Sequence, residues 1–215
     1  MSITEMMVAG ILNGLKTVWW MIPIILLLAF LKRPTVKGWM GEQAVKNGLD
    51  NMLDEAIYQP FHDLIIPYRH QTTQIDHLYL SPYGIFVVET KNYTGWIYGS
   101  EKQARWTQVV YHKKSSFQNP LRQNYAHIKA LALLLGVSES CFHSVVVFVG
   151  DCEFKTDMPP QVGRLKQAGR YIGSFQEKIL NPNEIQRMTN ILSQAQYQAD
   201  RGKRQAHKQM LQQRR

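Results

Sequence analysis

Apolar and polar positions along the chain fall into distinct patterns. Residues 11–31 are apolar with little interruption, and residues 18–31 (VWWMIPIILLLAFL) carry no charge. From Gly38 to about Leu53, Met40, Ala44, Val45, Leu49, Met52 and Leu53 recur at helical spacing and predict a helix. Residues 56–66 alternate like a strand, with Pro67 as its expected end. Leu78, Leu80, Ile85, Phe86, Val87 and Val88 supply strand-forming bulk around Ser81, Pro82, Tyr83 and Gly84. Pro and Gly there occupy favoured turn positions, so residues 74–91 predict a β-hairpin.

Beyond the hairpin, residues 95–99 (GWIYG) read as a short strand or turn, and residues 105–111 (RWTQVVY) as another strand. Asn119 is a helix cap and Pro120 a first-turn residue, for a helix ending at about Leu135 before Gly136. Residues 144–149 (SVVVFV) predict a buried central strand, and residues 174–180 a short helix. Asn181 and Pro182 open a last helix with Ile185, Met188, Ile191 and Leu192 on one stripe. After Ala199 the stripe is lost and the chain turns basic, which predicts an exposed or frayed end. No internal repeat is present.

The hairpin carries the candidate chemistry. Folding the chain about its turn sets Leu80 opposite Ile85, Leu78 opposite Val87 and Asp76 opposite Glu89, although a bulge at Gly84 would slip this by one position. Paired side chains have Cβ atoms about 4.5–5.5 Å apart. Alternation places Glu89 and Lys91 on the face of Ile85 and Val87. Two carboxylates and an ammonium therefore converge at one end of an apolar ribbon. Like charges facing each other destabilise a sheet, and a divalent cation held by oxygen ligands would offset that. The alternative is a solvated strand end bearing ordinary surface residues. The apolar run weighs against it, because a strand buried on both faces rarely ends in charges without a use. His77 points to the opposite face and is excluded as a ligand.

Composition adds three constraints. The 215 residues suffice for one full domain and an appendage. Cys141 and Cys152 have no metal spacing and read as buried small hydrophobes, with no disulfide framework, as in a reducing compartment. No zinc-ligand set and no Gly-rich phosphate loop occurs. Of the net charge of +9, more than half lies in residues 200–215, where six basic residues face one Asp. Such a tail binds nucleic acid or anionic lipid, or is simply a solvated end.

Residues 11–31 would span about 31 Å as a helix, enough for a bilayer core. Lys16 would snorkel, Trp19 and Trp20 would sit near the interface, and Pro23 is tolerable in a membrane helix. The alternatives are a cleaved signal peptide or a buried core helix. Glu5 precedes the run, and Lys32, Arg33 and Lys37 follow it. That order favours an uncleaved anchor with its C-terminal side in the cytoplasm. The resulting layout is an anchor at 1–31, a linker at 32–37, a core at 38–150, a helical part at 151–199 and a basic tail at 200–215.

The ordered set Gly41-Glu42, Ile75-Asp76-His77, Val88-Glu89-Thr90-Lys91-Asn92, Gly95-Trp96, Trp106 and Asn119-Pro120 with Gln123 resembles the nuclease-related domain, NERD. That family lies within the PD-(D/E)XK metal-dependent nucleases. The resemblance covers about residues 38–128 and weakens towards Gly150. Ile75 stands where the broader pattern has Pro, at a position that is not a ligand. The resemblance implies an α/β, restriction-endonuclease-like mixed central sheet flanked by helices. It implies that Asp76 and Glu89, with the Thr90 carbonyl, hold Mg²⁺ or Mn²⁺, and that Lys91 serves the attacking water. By the same resemblance Glu42 joins the acidic cluster and orients Lys91 or a water, and Gln123 faces the site and positions substrate. Unaided, Glu42 reads equally as a first-turn carboxylate complementing the helix dipole, and Gln123 as a surface amide with Asn124 and His127 nearby. Trp96 and Trp106 read as core or rim aromatics rather than base-stacking platforms.

Two functions follow. One is a membrane-anchored, metal-dependent nuclease acting on DNA. The other is a non-catalytic nuclease-like module that binds nucleic acid or protein at the membrane. Intact Asp76, Glu89 and Lys91 favour the first, since a lapsed site has no physical need for those charges.

Overall fold

In a computed structural model, the described residues are 4, 19–31, 33–69, 71–194, 197 and 201–212. They divide into two compact units, Met1–Met40 and Gly41–Arg215.

In the first unit, helix α1 (Met21–Leu31) is 11 residues long and exposes Ile22, Ile25, Leu26 and Leu27. Among the described residues, no helix is long and apolar enough to cross a membrane. Residues 11–18 of the expected span lie outside the described residues. Helix α2 (Pro34–Asp50) starts within the expected linker, because Pro suits a first helical position. Glu42 consequently sits in the third turn rather than the first, and the dipole reading of this residue falls away.

The second unit is mixed α/β, with two mixed sheets flanked by helices. The first sheet has the order β1 (Gln59–Tyr68), β2 (Gln71–Ser81), β3 (Gly84–Asn92), β7 (Phe142–Val149), β9 (Val162–Gly163). The β1–β2 and β2–β3 pairs are antiparallel, and β3–β7 and β7–β9 are parallel. The hairpin has the expected register, with Leu80 opposite Ile85 and Leu78 opposite Val87, and Gly84 pairs with Ser81 without a slip. Strand β3 is interior, so Ile85, Phe86, Val87 and Val88 are all buried. Ile85 and Val87 belong to a core with Ile128 and Leu131 of α3 (Pro120–Leu135) and Met188 of α5 (Pro182–Leu192). Phe86 and Val88 belong to a second core with Val45 and Leu49 of α2 and Ile172 of α4 (Leu165–Gly173). Each such side chain, fully buried, contributes roughly 1.5–3 kcal/mol.

The second sheet has the order β6 (Lys113–Gln118), β5 (Arg105–Val110), β4 (Gly95–Tyr98), β8 (Cys152–Phe154). Trp106 is fully buried at its base with Phe148 and Ile97, whereas Trp96 is half exposed beneath the Lys155 ammonium.

Several boundaries differ from expectation. Strand β1 continues through Pro67, which an edge strand tolerates. Strand β6 went unseen because it is polar and mostly exposed, with no apolar alternation to mark it. Residues 175–179 are irregular; the helix lies just upstream as α4, where Ala168 and Ile172 turn inward. The C-terminal helix is two helices, α5 and α6 (Arg201–Gln212). Helix α6 is docked rather than frayed: His207 is buried with its Nδ1 2.8 Å from Thr72 Oγ1, and Arg204 pairs with Asp63. Cys141 and Cys152 are free and half-buried, and Cys152 Sγ accepts from Arg164 at 2.9 Å.

Candidate active site

Strand β3 delivers Glu89, Thr90 and Lys91 to one end of the first sheet, and the hairpin delivers Asp76 beside them. The β2–β3 ladder ends at His77 and Val88, one pair short of Asp76 and Glu89. There the Asp76 carboxylate takes over, accepting from the Thr90 N–H at 2.9 Å. Helix α3 supplies the other wall. Asn119 fixes its start: Oδ1 accepts from the Leu121 N–H at 2.9 Å, and Nδ2 faces the Ser100, Glu101 and Gln103 carbonyls. Gln123 and His127 then project one turn apart towards β3.

Lys91 is held between two acceptors, Glu89 Oε1 at 2.6 Å and Gln123 Oε1 at 2.9 Å. The second Glu89 oxygen accepts from His127 Nε2 at 3.2 Å. Because a carboxylate only accepts, Nε2 carries the proton. His127 Nδ1 lies 2.8 Å from Thr73 Oγ1. Glu89 is 3% exposed, so this network is shielded from water. Asp76 lines a cavity of about 690 Å³ with Glu42, Gln74, Gln123, His127 and His207. The site thus gathers Glu42, Asp76, Glu89, Thr90, Lys91 and Gln123. His77 lies on the opposite strand face, with Nδ1 3.0 Å from His62 Nδ1.

The electrostatics separate the two central carboxylates. Burial raises Asp76, and Glu89 and Glu42 add to that, so its carboxyl lies well above the usual range. Burial also pushes Glu89 upward, but Lys91 and His127 outweigh it and hold that carboxyl below the usual range. Burial opposes charge on Lys91 too, and Glu89 and Asp76 reverse the sign, so the ammonium is retained to higher pH.

Glu42 and Glu89 both act on Asp76 as like charges, and Lys91 opposes them. Among the described residues no three His, Cys, Asp or Glu side chains form a metal-binding group. The set expected from the sequence, the Asp76 and Glu89 carboxylates with the Thr90 carbonyl, is of the kind that suits a hard cation that keeps several waters. Both Glu89 oxygens are engaged, but a carboxylate has about four lone-pair sites and can accept further partners. The residues present therefore fit Mg²⁺ or Mn²⁺.

Two residues of this site were not assigned roles from sequence. His127 was legible as a neighbour of Gln123, four positions on along a helix. His207 was not, because nothing local ties residue 207 to residue 72.

The nuclease-related domain model matches residues 37–149. An uncharacterized protein of Bacillus anthracis is 50% identical over 123 residues, which cover 57% of each chain. The chain therefore spans little more than half the length of that relative. No solved structure matches. With more than half of its residues inside the family match, the chain belongs to the nuclease-related domain family, NERD.

Proposed function

We propose that this chain is a metal-dependent nuclease that hydrolyses phosphodiester bonds in DNA and is held at a membrane by residues 11–31, with the nuclease domain on the cytoplasmic side. The observation that carries the reading is the buried Glu89–Lys91 ion pair at the end of β3, beside an Asp76 that accepts from the Thr90 N–H and lines the cavity with Gln123. Asp76, Glu89 and the Thr90 carbonyl would hold Mg²⁺ or Mn²⁺, which when bound supplies Lewis-acid stabilisation of the phosphoryl charge. Lys91 donates to the attacking water or to a phosphate oxygen, and Glu89 and Gln123 keep its ammonium in place. Glu42 accepts from water at the acidic end. The Gln123 Nε2 group, 3.5 Å from His127 Nε2, would turn to substrate. His127 fixes the second oxygen of Glu89 and so its orientation. The basic tail, residues 200–215, would add phosphate contacts without sequence preference.

Incubation of the purified full chain with plasmid and with single-stranded DNA, with and without Mg²⁺ or Mn²⁺, tests the chemistry. Metal-dependent cleavage that vanishes in Lys91→Ala supports it; no cleavage of either substrate with either metal overturns it. Carbonate extraction tests the anchor, which predicts that the chain stays with the membrane pellet; quantitative release contradicts it. A second reading, a non-catalytic module, draws support from the engagement of both Glu89 oxygens by Lys91 and His127. It predicts nucleic-acid binding without turnover.

A further inference from the structure

The β5–β6 hairpin closes with the pair Val110 and Lys113, leaving Tyr111 and His112 as a two-residue loop. Tyr111 is 93% exposed and has φ 53°. Two-residue hairpin loops require a positive φ at the first central residue, where Gly, Asn or Asp is usual. A bulky L residue is strained in that conformation, and an exposed ring recovers none of the cost by burial. Folding stability therefore gives no account of a tyrosine at this position. Its neighbours His112, Lys113 and Lys114 are exposed, and residues 102–118 contain no acidic residue.

The hairpin is tied to the candidate site at two points. Gln118, at the far end of β6, lines the acidic cavity. It lies five steps along the strand from Lys113, about 17 Å at the antiparallel rise of about 3.4 Å per residue. On the other side, Gly95 follows β3 by three residues and approaches β5 so closely that a Cβ there would lie 2.3 Å from the Val109 carbonyl oxygen. Gln108 Nε2 reinforces the junction by donating to the Thr94 carbonyl at 2.8 Å.

We propose that this hairpin tip is a stacking finger for nucleic acid: Tyr111 stacks on an unpaired base while Lys113 and Lys114 contact the flanking phosphates. The proposal rests on the nuclease reading for its substrate class, and refines it to single-stranded or frayed strands. The finger grips the strand about 17 Å along β6 from Gln118, the residue that lines the acidic cavity. A stacked aromatic is tolerant of base identity, so the grip has no sequence preference.

The test is fluorescence anisotropy of the full chain in EDTA. The probes are a labelled oligothymidylate long enough to span the hairpin and a blunt duplex of the same length. The native chain binds the single strand more tightly than the duplex. Tyr111→Gly, which fits the positive φ, keeps or raises the melting temperature yet weakens single-strand binding about fivefold or more. Tyr111→Phe retains the ring and binds like the native chain. Replacing Lys113 and Lys114 together by Gln flattens the slope of log affinity against log salt by about 1.4. Equal affinity of Tyr111→Gly and the native chain overturns the finger, as does equal loss in Tyr111→Phe and Tyr111→Gly, or no binding of the single strand at all. EDTA separates this outcome from the chemistry. Binding that depends on Tyr111 in a chain that never cleaves overturns the nuclease alone. Cleavage by a chain whose binding ignores Tyr111 overturns the finger alone.

Discussion

At Glu89, burial and ion pairing act in opposite directions, and pairing wins. Glu89→Gln removes the Lys91 counter-charge and leaves the ammonium shielded, a change that typically costs about 3–5 kcal/mol. Urea denaturation at neutral pH measures it. Because the folded-state pKa is depressed, the stabilisation from Glu89 is present above the ordinary carboxylate range of about pH 4–5 and is lost as pH falls through the depressed value. Asp76 has the opposite sign. Its raised carboxyl contributes fully below about pH 4, and that contribution is lost as pH rises through the raised value. Asp76→Asn without metal is therefore expected to equal or exceed the native chain in melting temperature at pH 7, and to lessen the loss of stability as pH rises above the ordinary carboxylate range. These two residues and Lys91 were legible in sequence because strand alternation and a tight turn fix which side chains share a face. His127 was legible only as a neighbour of Gln123; its contacts with Glu89 and Thr73 were not, because they arise where α3 crosses the sheet, and no short-range pattern encodes that crossing.

Elements hold the site through close approaches. In α2, a Cβ on Gly41 would lie 2.8 Å from Asn92 Cβ and 3.0 Å from Val149 Cγ2. Gly41→Ala gains roughly 0.8–1 kcal/mol in helix propensity but pays about 1–3 kcal/mol for overpacking, so a net loss is expected. It also shifts Glu42, the next residue. Gly38→Ala in the same helix meets nothing within 4 Å and is expected to gain the propensity term alone. Chemical denaturation of the two variants side by side separates packing from propensity. Asn119→Asp keeps the cap acceptor but turns a second oxygen towards the Ser100, Glu101 and Gln103 carbonyls. A loss of about 1–3 kcal/mol is expected by the same measurement. Helix α3 was readable to both ends because Asn119, Pro120 and Gly136 are local signals with local causes. Strand β6 and the docking of α6 were not: one is stabilised by its neighbour β5 rather than by its own pattern, and the other by His207 and Arg204 meeting residues far away in the chain.

For the whole molecule, the central claim is that the acidic end of the first sheet is a divalent-cation site. Binding to the folded state alone stabilises it by mass action, by about 2.7 kcal/mol at a hundred times the dissociation constant. Affinity rises with pH, because Asp76 must give up its proton to bind. The measurement that bears on this most directly is thermal unfolding of the full chain against Mn²⁺ concentration at pH 7.5, with Asp76→Asn, Glu89→Gln and Lys91→Ala alongside. The account predicts a saturable upward shift in the native chain and in Lys91→Ala, and none in Asp76→Asn or Glu89→Gln. A shift of undiminished size in both carboxylate variants, or no shift in the native chain, would contradict it.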